Sequence, residues 1–363
     1  MTEHRDVPEA ARPADTVDPH AGHGHTDGAH AADPQVTAPP PRRAADQPRR
    51  ATRVAVVGAG AVGSAIAYAM LLRGSAREVV LYDINADKVN AEVLDLAHGI
   101  SFTPMNSVGG GNDISVCADA DVVVITAGAK QKPGQSRLDL AGATIDIMRT
   151  LVPQLVEVAP HAIHLMVANP VDVVTQAGLA ISGLPPTQFF GSGTVLDTSR
   201  MRYLVARRAG VAVQSVHGYI AGEHGDSEVP MWSSATIGGI PVEDWPAATG
   251  TSNLDAADRE RIRHEVVHAA DTIIRGKGAT NYAIGLSTAR IVEALLRDED
   301  RVLSVSRMLP DVYGSGPVTM SMPTVIGRDG AARTLMLPAS EAEQEALLAS
   351  AASIRSVAAQ FGF

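Results

Sequence analysis

Short apolar runs alternate with longer helical patterns from Arg53 onward. Four runs rich in β-branched residues have the length of strands, and a loop or a helical pattern follows each of them: VAVVG, EVVLYD, DVVVITAG and IHLMVANP. Alternation of this kind is typical of a parallel sheet with crossover helices. The pattern therefore predicts an α/β fold, with a Rossmann-type doubly wound parallel sheet over residues 51–191.

The pattern changes after Gly191. Two long helical segments, DTSRMRYLVARRAG and DRERIRHEVVHAADTIIRGKG, are mixed with short apolar runs, and the segment from Ala339 to Gln360 has the period of one amphipathic helix. We expect a second, α+β domain over residues 192–363 that carries the substrate groups.

Two segments need separate treatment. Residues 1–50 are rich in Pro, Ala, Asp, Arg and His with almost no large aliphatic residues, which predicts a disordered polar tail without a secretory signal. The run from Val54 to Leu72 carries no charge. However, three glycines interrupt it and its pattern changes from β-branched to alanine-rich, so a buried strand, turn and helix are expected there, not a membrane span.

Charge and cysteine content narrow the class of protein. The formal net charge of the 363 residues is −10, so no basic field is available to attract nucleic acid or an anionic membrane, and neither is an expected partner. The single cysteine, Cys117, excludes a disulfide framework within the chain and lies among strand-forming residues. We expect an inert core thiol and a cytoplasmic protein.

A glycine motif follows the first predicted strand. Gly58, Gly60 and Gly63 form G-x-G-x-x-G between a strand and a helix, an arrangement that binds a dinucleotide pyrophosphate but also occurs as a structural turn. Asp83 ends the next strand, 20 residues after Gly63, where a carboxylate accepts hydrogen bonds from the adenosine ribose. Because a 2′-phosphate would meet this like charge, NAD is favoured over NADP.

Four further segments carry polar chemistry at the ends of predicted strands or nearby: TAGAKQKPGQSR (126–137), VANPVD (167–172), GSGTVLDTSR (191–200) and GEHGDSEVP (222–230). With these segments the chain resembles the lactate/malate dehydrogenase family, and within it the bacterial L-lactate branch, from about residue 53 to the C-terminus. The resemblance implies NAD-dependent interconversion of pyruvate and L-lactate, without a metal.

The resemblance also implies roles for individual residues. His224 matches the acid/base histidine, and Asp197 matches the carboxylate that orients its ring and raises its pKa. Arg200 matches the residue that holds the substrate carboxylate, and Arg137 matches the loop arginine that polarises the carbonyl.

Other matched positions complete the expected site. Asn169 corresponds to a hydrogen-bond donor to the substrate oxygen, and Thr280 to a residue that lines the small side of the pocket. The expected cofactor contacts are those of the three motif glycines, Val62, Asp83, Lys88, Gly128, Ala129 and Asn169.

Gln131 favours lactate over malate as the substrate. Malate-specific relatives typically have arginine at this loop position, which neutralises the second carboxylate of oxaloacetate, and glutamine cannot do so. Gln135 departs from the family pattern, because lactate enzymes often have glutamate there. This departure is expected to weaken the rejection of dicarboxylates modestly.

Arg202 and His217 match positions that bind fructose 1,6-bisphosphate at a subunit interface in bacterial relatives. The resemblance therefore implies an allosteric effector, with a structural role of these residues in the interface as the alternative, and it implies a homotetramer. Two other functions remain open: a malate or broader 2-hydroxyacid dehydrogenase, and a dinucleotide-binding scaffold without catalysis. The intact set of Asp197, Arg200, His224 and Arg137 argues against the scaffold.

Overall fold

A computed structural model describes residues 51–104, 107–129 and 137–363, except for the side chain of Arg137. The ten helices of this part of the chain are α1 (Ala61–Arg73), α2 (Ala86–His98), α3 (Arg137–Val158), α4 (Val171–Ser182), α5 (Val195–Ala209), α6 (Trp245–Thr249), α7 (Ala256–Val267), α8 (Ala269–Lys277), α9 (Tyr282–Leu296) and α10 (Glu341–Ala359). The strands of its first half are β1 (Arg53–Val57), β2 (Glu78–Tyr82), β3 (Ser107–Gly111), β4 (Val122–Ile125), β5 (Ile163–Met166) and β6 (Phe189–Gly191). Those of its second half are β7 (Val216–His217), β8 (Ile220–Ala221), β9 (Val229–Pro230), β10 (Thr236–Ile237), β11 (Ile240–Pro241), β12 (Arg301–Leu309), β13 (Val318–Gly327) and β14 (Gly330–Thr334).

The first six strands form the predicted doubly wound parallel sheet. Their order is β3-β2-β1-β4-β5-β6, with β1 between β2 and β4, so the strand order reverses beside β1. A ligand crevice is expected at such a reversal, outside the carboxyl ends of the strands.

Helices cover both faces of this sheet. Along β1, Val54 and Val56 pack into a core that includes residues of α1 and α9, whereas Ala55 and Val57 pack into a core that includes residues of α3, α4 and α10. Because successive side chains of a strand point to opposite faces, a strand buried on both faces needs an uninterrupted apolar run. This requirement explains the sequence RVAVV of β1.

The strands of the second half extend the same sheet. β12 pairs antiparallel with β6 through Ser306 and Gly191, and β13 and β14 follow it outward. Two small sheets, β11-β10-β7 and β8-β9, lie outside it. The α+β character expected for this half is therefore confirmed, and the domain boundary at Gly191 stays a prediction.

The prediction of one long helix in the second half of the chain was wrong. The segment DRERIRHEVVHAADTIIRGKG forms two helices, α7 and α8, separated at His268, whose backbone leaves the helical region with ψ near 5°. α7 buries Ile262 and Val266, whereas α8 buries none of its residues. Core packing therefore does not hold α8 in line with α7.

Two other expectations concern the run from Val54 to Leu72 and the thiol. This run forms β1, a glycine turn and α1, as predicted, and within the described residues no helix combines the length and apolarity that crossing a bilayer requires. Cys117 is fully buried, and burial raises the pKa of its thiol to about 12. The expectation that Cys117 is a core residue is confirmed, and its reactivity stays a prediction.

Candidate active site

The glycine motif forms a tight turn between β1 and α1. Gly58 has φ +103°, a conformation that favours glycine, and a Cβ on Gly63 would lie 1.9 Å from the Gly58 carbonyl oxygen. A Cβ on Gly60, in contrast, would find Lys88 Nζ as its nearest neighbour at 3.8 Å. The first and third glycines allow the turn and the close packing of helix on strand, and the second leaves open space at the N-terminus of α1.

Asp83 lies beside this turn, immediately after β2. Its carboxylate accepts hydrogen bonds from the backbone N–H of Ala59 (2.8 Å) and of Asn85 (3.0 Å), and Lys88 Nζ lies 3.3 Å away. Burial raises the pKa of Asp83, but these donors outweigh burial and hold the pKa below its ordinary value. Asp83 is therefore ionised at neutral pH, with acceptor capacity left for hydroxyl groups.

The remaining predicted cofactor residues surround the same strand ends. Val62 lies in the first turn of α1, and Gly128 and Ala129 follow β4. The Ala129 N–H donates to Thr144 Oγ1 at 3.3 Å, and a Cβ on Gly128 would lie 3.1 Å from the Ala168 side chain. This cradle of open glycine backbone beside an ionised carboxylate fits a dinucleotide with free ribose hydroxyls.

Helix α5 carries the charged centre of the site. Asp197 and Arg200 are one turn apart, and Arg200 Nη1 donates to Asp197 Oδ1 at 2.6 Å. The other carboxylate oxygen, Asp197 Oδ2, lies 2.6 Å from His224 Nδ1. The side chain of Asp197 is 1% exposed and that of His224 is 26% exposed. The structure therefore brings together the three residues that the sequence separates by as many as 27 positions.

A second carboxylate fixes the backbone of His224. Asp172, in the first turn of α4, accepts a hydrogen bond from the His224 backbone N–H at 2.7 Å and another from Ser306 Oγ on β12 at 2.5 Å. The side chain of Asp172 is almost fully buried, and burial raises its pKa to about 6. The histidine is thus held at both its ring and its main chain.

These carboxylates set the titration of His224. Burial lowers the pKa of the ring, but Asp197, through its charge and its hydrogen bond, and then Asp172, through its charge, outweigh burial and raise it to about 9. Asp197 itself is buried, yet His224 and Arg200 hold its pKa below the ordinary value. At neutral pH the pair is therefore an imidazolium against a carboxylate.

A cleft of about 400 Å³ opens in front of this pair. Its polar wall includes Asn169, Arg200, His224 and Glu228, and its apolar wall includes Leu140, Val267, Ala270 and Ile274. Predicted residues Asn169 and Arg200 thus share one cavity with His224. Thr280 lies between α8 and α9, half-buried, and is not among the residues that line this cavity.

Three predicted residues cannot be placed. Gln131 and Gln135 lie outside the described residues, and so does the side chain of Arg137, whose backbone begins α3. Their assigned roles therefore stay predictions.

The predicted effector residues Arg202 and His217 are not among the residues that line this cleft. Arg202 Nε donates to the Gly218 carbonyl at 2.9 Å, and its guanidinium lies 5.1 Å from the centre of the Tyr219 ring. His217 is exposed on β7, next to this group.

Sequence reasoning missed Asp172, Ser306 and Glu228 as parts of the site. Asp172 and Glu228 stand within the segments VANPVD and GEHGDSEVP, so their motifs offered a signal, but Ser306 contacts Asp172 across 134 positions and has none.

Asp197, His224 and Glu228 each place one ligating atom within 4.8 Å of the others. Both Asp197 oxygens already accept from His224 and Arg200, and the Arg200 cation lies against the group. This donor set does not fit a metal ion.

Comparison with known proteins agrees with this geometry. The family model for the lactate/malate dehydrogenase NAD-binding domain matches residues 52–191, and that for the lactate/malate dehydrogenase alpha/beta C-terminal domain matches residues 194–361. An L-lactate dehydrogenase of Bifidobacterium animalis subsp. lactis is 55% identical over 88% of this chain and 99% of its own length, and one of a Synechococcus species is 48% identical over 83% and 97%. The crystal structure of a minor L-lactate dehydrogenase from Enterococcus mundtii matches with a TM-score of 0.82 and 39% identity, over 85% of this chain and 98% of its own.

The dinucleotide cradle and the matched NAD-binding domain identify NAD as the cofactor and an oxidoreductase as the class of enzyme. The chain belongs to the lactate/malate dehydrogenase family.

Proposed function

We propose that the protein is a cytoplasmic L-lactate dehydrogenase that interconverts pyruvate and L-lactate, with residues 51–191 holding NAD and residues 192–363 supplying most substrate groups. The observation that carries this proposal is the contact between His224 and Asp197, with Arg200 beside them in one cleft. NAD, when bound, accepts the hydride from lactate or, as NADH, supplies it to pyruvate.

His224 handles the proton in this reaction. Because Nδ1 is bound to Asp197, Nε2 is the nitrogen left to exchange a proton with the substrate oxygen. The imidazolium donates to the carbonyl oxygen of pyruvate, and the neutral ring removes the hydroxyl proton of lactate. Asp197 stabilises the charged ring, and Asp172 holds the backbone that carries it.

Arg200 holds the substrate carboxylate. Nη1 is engaged with Asp197, but a guanidinium has five N–H donors in a planar fork, so Nη2 and Nε remain available for a carboxylate. Asn169, exposed at the cleft wall, is suited to donate to the substrate oxygen. Asp83 and the glycine turn orient NAD, and Val62, Lys88, Gly128 and Ala129 are its expected neighbours.

Mixing the protein with NADH and pyruvate tests the proposal directly. NADH is expected to be consumed with L-lactate as the product, and pyruvate is expected to be preferred to oxaloacetate in kcat/KM. Consumption of NADH with oxaloacetate but not with pyruvate would assign a malate dehydrogenase instead.

Gln131→Arg is expected to shift the substrate preference. Leaving the second carboxylate of oxaloacetate unpaired costs several kcal/mol, and a new arginine would neutralise it, so the oxaloacetate to pyruvate ratio of kcat/KM should rise by about tenfold or more. Gln154→Arg, an exposed position on α3, adds the same charge elsewhere and should leave the ratio unchanged. An unchanged ratio in Gln131→Arg contradicts the lactate assignment of this loop.

An apolar surface supports assembly into a homotetramer. Tyr68 and Leu72 of α1 and Tyr282 and Leu286 of α9 are each at least half exposed, and each pair is spaced by four residues on two helices that pack together. Such a surface is typical of a contact between subunits, and we propose that a second copy of the chain covers it.

Fructose 1,6-bisphosphate is the proposed effector at Arg202 and His217. Adding it is expected to lower the KM for pyruvate by about five- to tenfold or more, because allosteric coupling is typically worth about 1–3 kcal/mol. Arg202→Gln and His217→Gln should abolish this response, whereas Arg207→Gln, exposed on the same helix, should retain it. Sedimentation with and without the bisphosphate would report the mass of the assembly, and an identical KM in both conditions would remove the effector role.

A further inference from the structure

Glu228 places a buried carboxyl group on the wall of the catalytic cleft. It immediately precedes β9, is 4% exposed, and lines the cavity together with Arg200 and His224. Its Oε1 atom is buried and has no hydrogen-bond partner among the described residues. An unpaired buried carboxylate would be costly, so the protonation state of this group needs an explanation.

The partners of the two neighbouring carboxyls differ. Asp197 accepts from His224 Nδ1 and from Arg200 Nη1, so both of its oxygens are stabilised in the ionised form. Glu228 lies close enough to bring an oxygen within 4.8 Å of Asp197, but its Oε1 atom receives no such donor from the described residues. Two buried carboxyls this close do not both ionise readily, and the carboxyl group that is less stabilised by donors keeps the proton.

We propose that Glu228 is a positioning residue that works as a neutral carboxylic acid, and that its proton keeps the cleft receptive to the anionic substrate. This inference rests on the proposed lactate dehydrogenase activity. The proton lies on the carboxyl group of Glu228 in the working enzyme and is not transferred to the substrate.

The charges around Glu228 agree with this assignment. Burial raises the pKa of its carboxyl group to about 9, Asp197 adds to the rise, and the cations of His224, Arg200 and Arg263 oppose it. Among the described residues, the charged or titratable groups that line the cleft or act on Glu228 and His224 include Asp172 of α4, Asp197 and Arg200 of α5, His224 and Asp226 of the same loop, Arg263 of α7 and Asp271 of α8. Arg263 is already paired with Glu260.

An ionised Glu228 would work against substrate binding. Asp197 already offsets part of the positive charge of Arg200 and His224, and a second carboxylate would cancel more of the charge that the pyruvate carboxylate needs. Above the pKa of Glu228, the KM for pyruvate should therefore rise. Pyruvate reduction then requires two protonated groups, His224 and Glu228, and loses both in alkaline solution.

The slope of the alkaline limb tests this count of protons. Log kcat/KM for pyruvate is plotted against pH from about pH 7 to about pH 10.5. In the unmodified enzyme the plot is expected to fall with a slope that is steeper than one per pH unit and approaches two. Glu228→Gln keeps the neutral form permanently, so its alkaline limb should have a slope of one. Relative to its own value near pH 7, its kcat/KM should exceed that of the unmodified enzyme by about tenfold at one pH unit above the pKa of Glu228.

Two matched variants make the result specific. Each pH profile is normalised to its own kcat/KM near pH 7, so that a change in absolute rate does not affect the comparison of slopes. Glu228→Asp keeps a carboxyl and should keep the steep limb. Glu243→Gln removes an exposed glutamate paired with Arg259 and should keep it as well. Equal slopes in the unmodified enzyme and Glu228→Gln overturn the proposal.

Infrared difference spectroscopy gives a readout that does not depend on catalysis. At neutral pH, the unmodified protein minus Glu228→Gln should contain the C=O band of a protonated carboxylic acid, which alkaline titration of the unmodified protein removes. A carboxylate band in its place shows that Glu228 is ionised and ends the proposal. If the band is present but pyruvate is not reduced, the proposed function fails while the protonation of Glu228 stands.

Discussion

Replacing His224 with glutamine is expected to lower kcat for pyruvate reduction by about 10²–10⁴-fold, because general acid catalysis by a positioned side chain contributes a factor of this size. Glutamine has a similar reach and can still donate a hydrogen bond, but it carries no transferable proton at neutral pH. Steady-state rates with saturating NADH, together with NADH affinity measured by fluorescence, separate the loss of proton transfer from the loss of cofactor binding.

The pH dependence of His224→Gln distinguishes chemistry from damage to the fold. In the unmodified enzyme, Asp197 outweighs burial and raises the pKa of His224 to about 9, so pyruvate reduction needs the form present below that pH and lactate oxidation needs the form present above it. The residual pyruvate reduction by the variant should lose the ionisation of His224 and keep only the alkaline limb of slope one that Glu228 contributes. His161→Gln, an exposed histidine before β5, should be indistinguishable from the unmodified enzyme. Retention of the full steep limb in His224→Gln would assign the transferred proton to another group.

Much of the structure of residues 51–191, which form the parallel sheet, could be predicted from the sequence because it is determined by residues close together in the chain. The apolar run of β1, the turn at Gly58 and the carboxylate of Asp83 each follow from a few neighbouring residues. The interruption at His268 was not predicted, since the apolar period continues through it. The interruption depends on which side chains are buried in the core, and α8 buries none of its residues.

In the active site, too, some contacts could be predicted from the sequence and others depend on the tertiary structure. The pairing of Asp197 with Arg200 follows from their spacing on one helix, and the family resemblance adds His224. Asp172 and Ser306 act on His224 through contacts between α4, β12 and the histidine loop, which only the tertiary structure determines. The protonation of Glu228 is also a property of assembled charges. Sequence motifs thus indicate the reacting groups, and the fold determines the burial and the neighbouring charges that set their pKa values.

Replacing Arg200 with leucine is expected to reduce kcat/KM for pyruvate by about 10²–10³-fold, because removing one partner of a buried, hydrogen-bonded charge pair costs about 2–5 kcal/mol. Two contributions add up here: the substrate carboxylate loses its planar fork, and Asp197 keeps His224 as its only charged donor among those described. Arg200→Lys separates them. A lysine retains the positive charge but not the two parallel N–H donors, so it should raise the KM for pyruvate while leaving kcat closer to that of the unmodified enzyme.

A matched substitution on the same helix controls for changes in α5 itself. Arg207→Lys alters an exposed arginine that contacts Tyr203, outside the cleft, and should leave both constants unchanged. Arg200 acts on the bound substrate carboxylate, and His224 acts on the reacting oxygen. Arg200→Lys should therefore mainly raise KM, whereas His224→Gln should mainly lower kcat. If Arg200→Lys instead lowers kcat with KM unchanged, the guanidinium acts in the chemical step through Asp197 and does not hold the substrate.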